Sequence, residues 1–303
     1  MMRIFCAIGL SGALALSACS SSSGTNSDSG VGGSTGDAGT DAVADAGPAL
    51  VTVSGTAAPH ALTKALDPTN DFSMINVAVV DPAIVIANPT APPLAGGALT
   101  TTGCPATGCP WSFDNVNVSG ISLGLVGILD DARTTGRLWV KTGTGAGSSA
   151  FINTIKVSHA PITNVPLFAV SVATEGALAT FAAGALSDTT LVPGQLTARG
   201  FMIGTVVSKL SQGPLPVAGA TVTTTDARVN IIYPTADFSG VGTSTSANGS
   251  FLVVPKPTAN PTAIVATWTV TAPSGDTRVW PALTAGSTPG TAFVILFAAN
   301  ETP

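Results

Sequence analysis

The chain has 303 residues, carries a net charge of −5 and is only 9% charged, against about 25% in an ordinary globular protein. A surface so poor in cations excludes nucleic acid, which needs a basic patch to displace counterions, and the same neutrality argues against an acidic substrate. The mean hydropathy of +0.47 invites comparison with a membrane β-barrel, but barrel girdles need many Tyr and Trp and Tyr233 is the only tyrosine.

The N-terminus begins Met1-Met2-Arg3 and continues in an apolar run, residues 4–16. One positive charge before a run too short to span a bilayer predicts a secretory signal. It ends in Leu16-Ser17-Ala18-Cys19, which resembles the bacterial lipobox. That resemblance implies cleavage of residues 1–18, a diacylglycerol thioether on Cys19 and acylation of the new amine. Ser20, where some lipoproteins carry Asp, resembles the signal for passage to the outer membrane. The expected partner is therefore a membrane, reached through the lipid.

Residues 19–48 predict a disordered tether. They are rich in Ser, Gly and Asp, with Val31 and Val43 the sizeable apolar side chains, too few to offset ordering entropy. Its charges are Asp28, Asp37, Asp41 and Asp45. A flexible coil of that length reaches about 30 Å.

From residue 49 the chain changes to short Val, Ile, Thr and Phe runs broken by Gly, Pro and Asn, which predicts an all-β fold. We expect tandem Greek-key β-sandwich domains, 49–165 and 199–303, joined by a short helical connector, 166–198. One larger sandwich is the rival arrangement. Strands in the first half are expected at 51–55, 75–80, 111–118, 121–128 and 137–141. Cys104 and Cys109 would be exported into an oxidising compartment, so a local disulfide is expected, with Pro105 and Gly108 allowing the turn. Free or redox thiols and half of a metal site are the alternatives; a zinc site needs four ligands and no second cysteine pair exists.

In the connector, Thr174 offers a helix cap, Glu175 suits the positive end, and Leu178, Phe181, Ala182 and Ala185 share a face. The second domain contains Pro216-Val-Ala-Gly-Ala220-Thr-Val, then Asn248-Gly-Ser-Phe251-Leu-Val-Val-Pro255, then the alternating run around Trp268. It resembles the carboxypeptidase regulatory-like domain, of the transthyretin-like and Cna-B-like sandwich class. Asn248-Gly249 suits a tight hairpin, and Phe251, Val253, Trp268 and Val270 alternate toward a core.

Few residues point to chemistry. Gly120-Ile-Ser122-Leu-Gly124 matches G-x-S-x-G and precedes Asp130, Asp131 and His159 in serine-hydrolase order. The next residues, Leu125-Val-Gly-Ile-Leu129, read as a strand, whereas a nucleophile elbow requires a helix after the serine. Gly143-Thr-Gly145-Ala-Gly147 reads as a hairpin turn. His60 and His159 are the only histidines, so no metal site is expected, and no cofactor. Trp111, Trp139, Trp268 and Trp280 are either sandwich core or a sugar-stacking platform. The expected function is a non-catalytic cell-envelope lipoprotein, a structural or adhesive β-sandwich module. The alternative is a binding protein for a small molecule, glycan or peptide, which a groove lined by an exposed Trp139 or Trp280 would favour.

Overall fold

A computed structural model describes residues 47–67, 71–101, 104, 108–208 and 215–299. The expected lipidation site Cys19 and most of the tether lie outside these residues. The described chain is mostly β, in several packed sheets.

The first half contains β1 (Leu50–Pro59), α1 (Ala61–Leu66), β2 (Ile75–Val80), α2 (Pro82–Ala87), β3 (Ala95–Ala98), β4 (Cys109–Asn117), β5 (Gly124–Asp131), β6 (Thr142–Ser148), α3 (Ser149–Ser158) and β7 (Ile162–Ala169). The second begins with helices α4 (Val172–Leu186) and α5 (Gln195–Arg199). Strands β8 (Phe201–Val207), β9 (Thr221–Thr224), β10 (Val229–Pro234), β11 (Val241–Gly242), β12 (Ser250–Pro255), β13 (Ile264–Thr271), β14 (Leu283–Ser287) and β15 (Ala292–Ala298) complete it.

The halves share one nine-stranded sheet, in the order β11-β10-β12-β8-β15-β6-β5-β2-β3. At the join, β15 runs parallel to both β8 and β6. Of these, β8 and β15 are apolar along their length and buried on both faces: β8 reads FMIGTVV and β15 AFVILFA. Strands covered on both sides carry such continuous runs. By contrast β13 alternates buried and exposed residues at every step, as a strand with one wet face must.

Three cores result. On one face of the large sheet, the three-stranded sheet β4-β1-β7 and α3 cover the first half around Val53, Leu129, Ile152 and Leu167. Further along that face, α4 and α5 cover the second half through Leu178, Ala182 and Leu196. The opposite face is covered in the second half by the sheet β14-β13-β9, around Phe251, Trp268 and Phe297. In the first half that opposite face carries no such layer among the described residues.

Several expectations need correction. Residues 137–141 form no strand, because the Leu138 and Trp139 N–H groups donate to the Asp131 carboxylate instead of a ladder; only a single bridge joins Trp139 to Ser171. Residues 143–147 are no turn but the body of β6. A Cβ on Gly143 would lie 2.9 Å from the Phe293 ring, so glycine there makes room for an aromatic side chain from β15. The connector opens with the end of β7, which pairs parallel with β1. Helix α4 is capped by Ser171, whose Oγ accepts from the Thr174 N–H at 3.0 Å, three residues before the expected cap. Leu178 and Ala182 are buried, whereas Ala185 is exposed.

Candidate functional site

The catalytic string is not assembled. Ser122 is exposed in a bend, and strand β5 follows it where an elbow needs a helix. His159 is exposed at the end of α3, with a left-handed φ of 53°. Among the described residues no hydrogen bond joins Ser122 to His159, or His159 to a carboxylate. Asp131 is buried and fully engaged. It accepts from the Leu138 N–H at 2.7 Å, the Trp139 N–H at 3.2 Å and the Arg133 N–H at 3.0 Å, and pairs with the Arg133 guanidinium at 3.1 Å. Burial pushes its pKa up, but these backbone and guanidinium hydrogen bonds outweigh that and hold it below the usual carboxylate range.

The other buried charges are engaged in the same way. Asp81 accepts from the Ala83 N–H at 2.8 Å and caps α2. Glu175 accepts from the Gly194 and Thr197 N–H groups at 2.6 and 3.1 Å and so tethers the start of α5 to α4. Arg199 pairs with Asp188 at 2.8 Å and also donates to the Pro255 carbonyl. Each satisfies backbone that burial would otherwise leave unpaired.

Cys104 and Cys109 are disulfide-bonded, with Cα atoms 4.6 Å apart. Gly108 has a φ of 128° and lies against Ala57 of β1, where a side chain would collide. The loop closed is small, so the stabilisation expected is about 2 kcal/mol. Among the described residues no cluster of three His, Cys, Asp or Glu is placed to hold a metal.

All four tryptophans are buried. Trp139 donates to the Asp71 carbonyl at 2.7 Å, Trp268 to Ala285 at 3.0 Å and Trp280 to Val207 at 2.9 Å. They form core, in place of a sugar-stacking platform.

A groove does exist, elsewhere, and no tryptophan lines it. It has a volume of about 690 Å3 and lies on the sheet face that β14-β13-β9 leaves uncovered. Its floor is β2, β5 and β6, with Ala78, Val80, Val126, Ile128 and Gly143. One wall is α2 and the proline-rich turn after it, through Val85, Ile86 and Pro89. The other is β14 and the turn beyond it. Val80 and Val126 belong to the second core, so the floor continues that core's surface into the open. Sequence reasoning misses this groove. The run INVAVV of β2 signals a strand and carries no sign of whether a second layer covers it.

No protein-family model matches the chain, and no curated protein does. Among solved structures, shaft pilin SpaA from Lactobacillus rhamnosus GG, as a double mutant, is 11% identical, with 84% of this chain and 98% of that chain covered and a TM-score of 0.22. GBS52, the minor pilin of Streptococcus agalactiae, is 9% identical over 84% of this chain and 98% of its own, with a TM-score of 0.23.

Proposed function

We propose that the chain is a lipid-tethered, non-catalytic module of a bacterial cell envelope that acts through its surface in a structural or adhesive role. The observation that carries this reading is the use made of the buried ionisable groups. Among the described residues Asp81, Asp131, Glu175, Arg199 and the imidazole of His60, which caps α1, all hold helix ends and loops in place, and none is held ready for proton transfer beside a nucleophile. The tether reading rests on Leu16-Ser17-Ala18-Cys19 and the acidic, core-poor stretch after it. The outer membrane is the destination that Ser20 suggests. A carboxypeptidase regulatory-like second half is supported by the strict alternation of β13; the expected tight hairpin at Asn248-Gly249 is instead a turn between β11 and β12, which pair with β10 and not with each other.

The test has two arms. Cys19→Ala should move the protein from the membrane fraction to the soluble periplasm; retention at the membrane overturns the tether. Purified protein should be inactive across an esterase and peptidase panel. Activity lost in both Ser122→Ala and His159→Ala would restore a hydrolase.

The groove favours a second reading, a binding protein for a small molecule. Its volume falls in the range of about 300–1,000 Å3 typical of ligand sites.

A further inference from the structure

We propose that the groove binds a free long-chain carboxylate, with its apolar tail along the sheet floor and its head held by Lys141. The proposal rests on the second reading above and names the ligand class.

The groove is polar at one end. Asn76 of β2 lies opposite Asp130 of β5. The β5–β6 register, Leu129 opposite Thr142, sets Lys141 beside Asp130, and the β15–β6 register, Ala292 opposite Thr142, brings Thr291 alongside. All four residues line the groove. Among the described residues Asp130 and Lys141 are the only charged side chains that do, and Asp130 is already paired with Arg137. Lys141 is half-buried and, among the described residues, its ammonium makes no ion pair or hydrogen bond. With Arg137 counted against Asp130, the cluster of Asp130, Arg137 and Lys141 at this end carries one net positive charge, which is complementary to an anion, and shelter from water strengthens such a contact relative to an exposed one.

The rest of the floor asks for a tail without polar groups. The next rows are Ala78, Ile128, Gly143 and Phe293, then Val80 and Val126. From Asp130 to Leu125 the floor runs about 17 Å along β5 at the usual strand rise. A peptide would bring an N–H and a C=O per residue, each needing a partner. Few hydroxyls are on offer: Thr284 is engaged with Thr267, Ser287 donates to the Gly200 carbonyl and Thr288 to Thr291, and the exposed Ser122 at the far end is a single hydroxyl among apolar neighbours. An acyl chain needs none of these partners. Its carboxylate accepts only, matching the Lys141 ammonium and the Asn76 amide.

The experiment uses the full chain carrying Cys19→Ala, so that no attached lipid competes. It is titrated calorimetrically with hexadecanoate below its micelle concentration, and with hexadecan-1-ol as the neutral-headed match. Hexadecanoate should bind at one site. Lys141→Met should weaken it at least tenfold, the size expected for losing a charge-assisted hydrogen bond, and leave hexadecan-1-ol unchanged. Lys141→Arg should restore it, and Ala78→Phe, which fills the floor, should abolish both. Circular dichroism melts establish that each variant is folded. Equal binding of acid and alcohol, indifferent to Lys141→Met, overturns the anionic head while the groove-binding reading stands. Binding of neither by the folded chain overturns both.

Discussion

His60 is buried at the start of α1, edge-on to the Phe168 ring at 5.8 Å, and its Nδ1 accepts from the Leu62 N–H at 3.3 Å. Burial lowers its pKa from 6.5 to about 4. The unfolded chain takes up a proton near pH 6.5 that the folded chain refuses until about 4. Stability is therefore complete above 6.5 and falls as pH drops toward 4, by up to about 3 kcal/mol. His60→Asn keeps a capping acceptor and removes the titration. Its melting temperature should be flatter between pH 6.5 and 4; a variant that loses stability as steeply as the parent would disprove the assignment. Asp188 works in the opposite sense. Hydrogen bonds from the Arg199 guanidinium and the Thr190 hydroxyl lower its pKa from 3.8 to about 2. Its contribution is present above pH 3.8 and is lost as pH falls through 2, well below the His60 window. Trp111 is different again: its Nε1 is buried without a partner among the described residues. Removing an unsatisfied donor costs little, so Trp111→Phe should change stability by less than about 1 kcal/mol, by chemical denaturation, where an ordinary Trp truncation in a core costs more.

Among the elements, α5 depends on a contact from another helix. It has five residues, and no side chain of its own N-cap, Gly194, closes its first turn. Glu175, a full segment earlier on α4, supplies both acceptors. Glu175→Ala should cost about 1–3 kcal/mol, the penalty for leaving buried donors unpaired, read from the denaturant midpoint; a loss below 0.5 kcal/mol, on the order of an exposed substitution, would mean that the turn finds other partners. No local pattern announces this contact, because Glu175 alone reads as an ordinary first-turn acid. Other elements are plain in the sequence. The alternation of β13 and the unbroken apolar run of β12 state how many of their faces are covered. Strand β6, TGTGAGS, reads as a turn because glycine locally signals one; Phe293, far along the chain, shows why Gly143 carries no side chain, and Phe151 of α3 does the same for Gly147. Asp131 misleads in a similar way, since its side chain takes the N–H groups that would have made 137–141 a strand. The groove is illegible for a related reason. A strand's own sequence records its apolar content, whereas the layer missing above β2 and β5 is a property of where β14-β13-β9 stops.

At the scale of the whole molecule, the shared sheet alters where a cut through the chain leaves a stable piece. The expected boundary at residue 199 would separate β8, β10, β12 and β15 from α4 and α5. Those strands present Phe201, Ile203, Ile232, Leu252, Val254 and Val294 to the third core, and the helices cover them with Leu178, Ala179, Ala182 and Leu196. Each large apolar side chain returned to water costs about 1.5–3 kcal/mol, so losing the helices removes stabilisation comparable with the roughly 5–15 kcal/mol margin of a whole domain. By comparison β6 pairs with β15 over only three residues, whereas β8 pairs with it over seven, so severing the join between the halves is the smaller loss. A fragment of residues 170–303 keeps both covers of the sheet, the helices on one face and β14-β13-β9 on the other. It should unfold in one cooperative thermal transition, followed by near-ultraviolet circular dichroism of its tryptophans. The fragment 199–303 keeps one cover, and should show no cooperative transition and bind a hydrophobic dye. Equal, cooperative melting of the two fragments would mean that the helices add nothing to the second half's core, and the boundary would belong at 199.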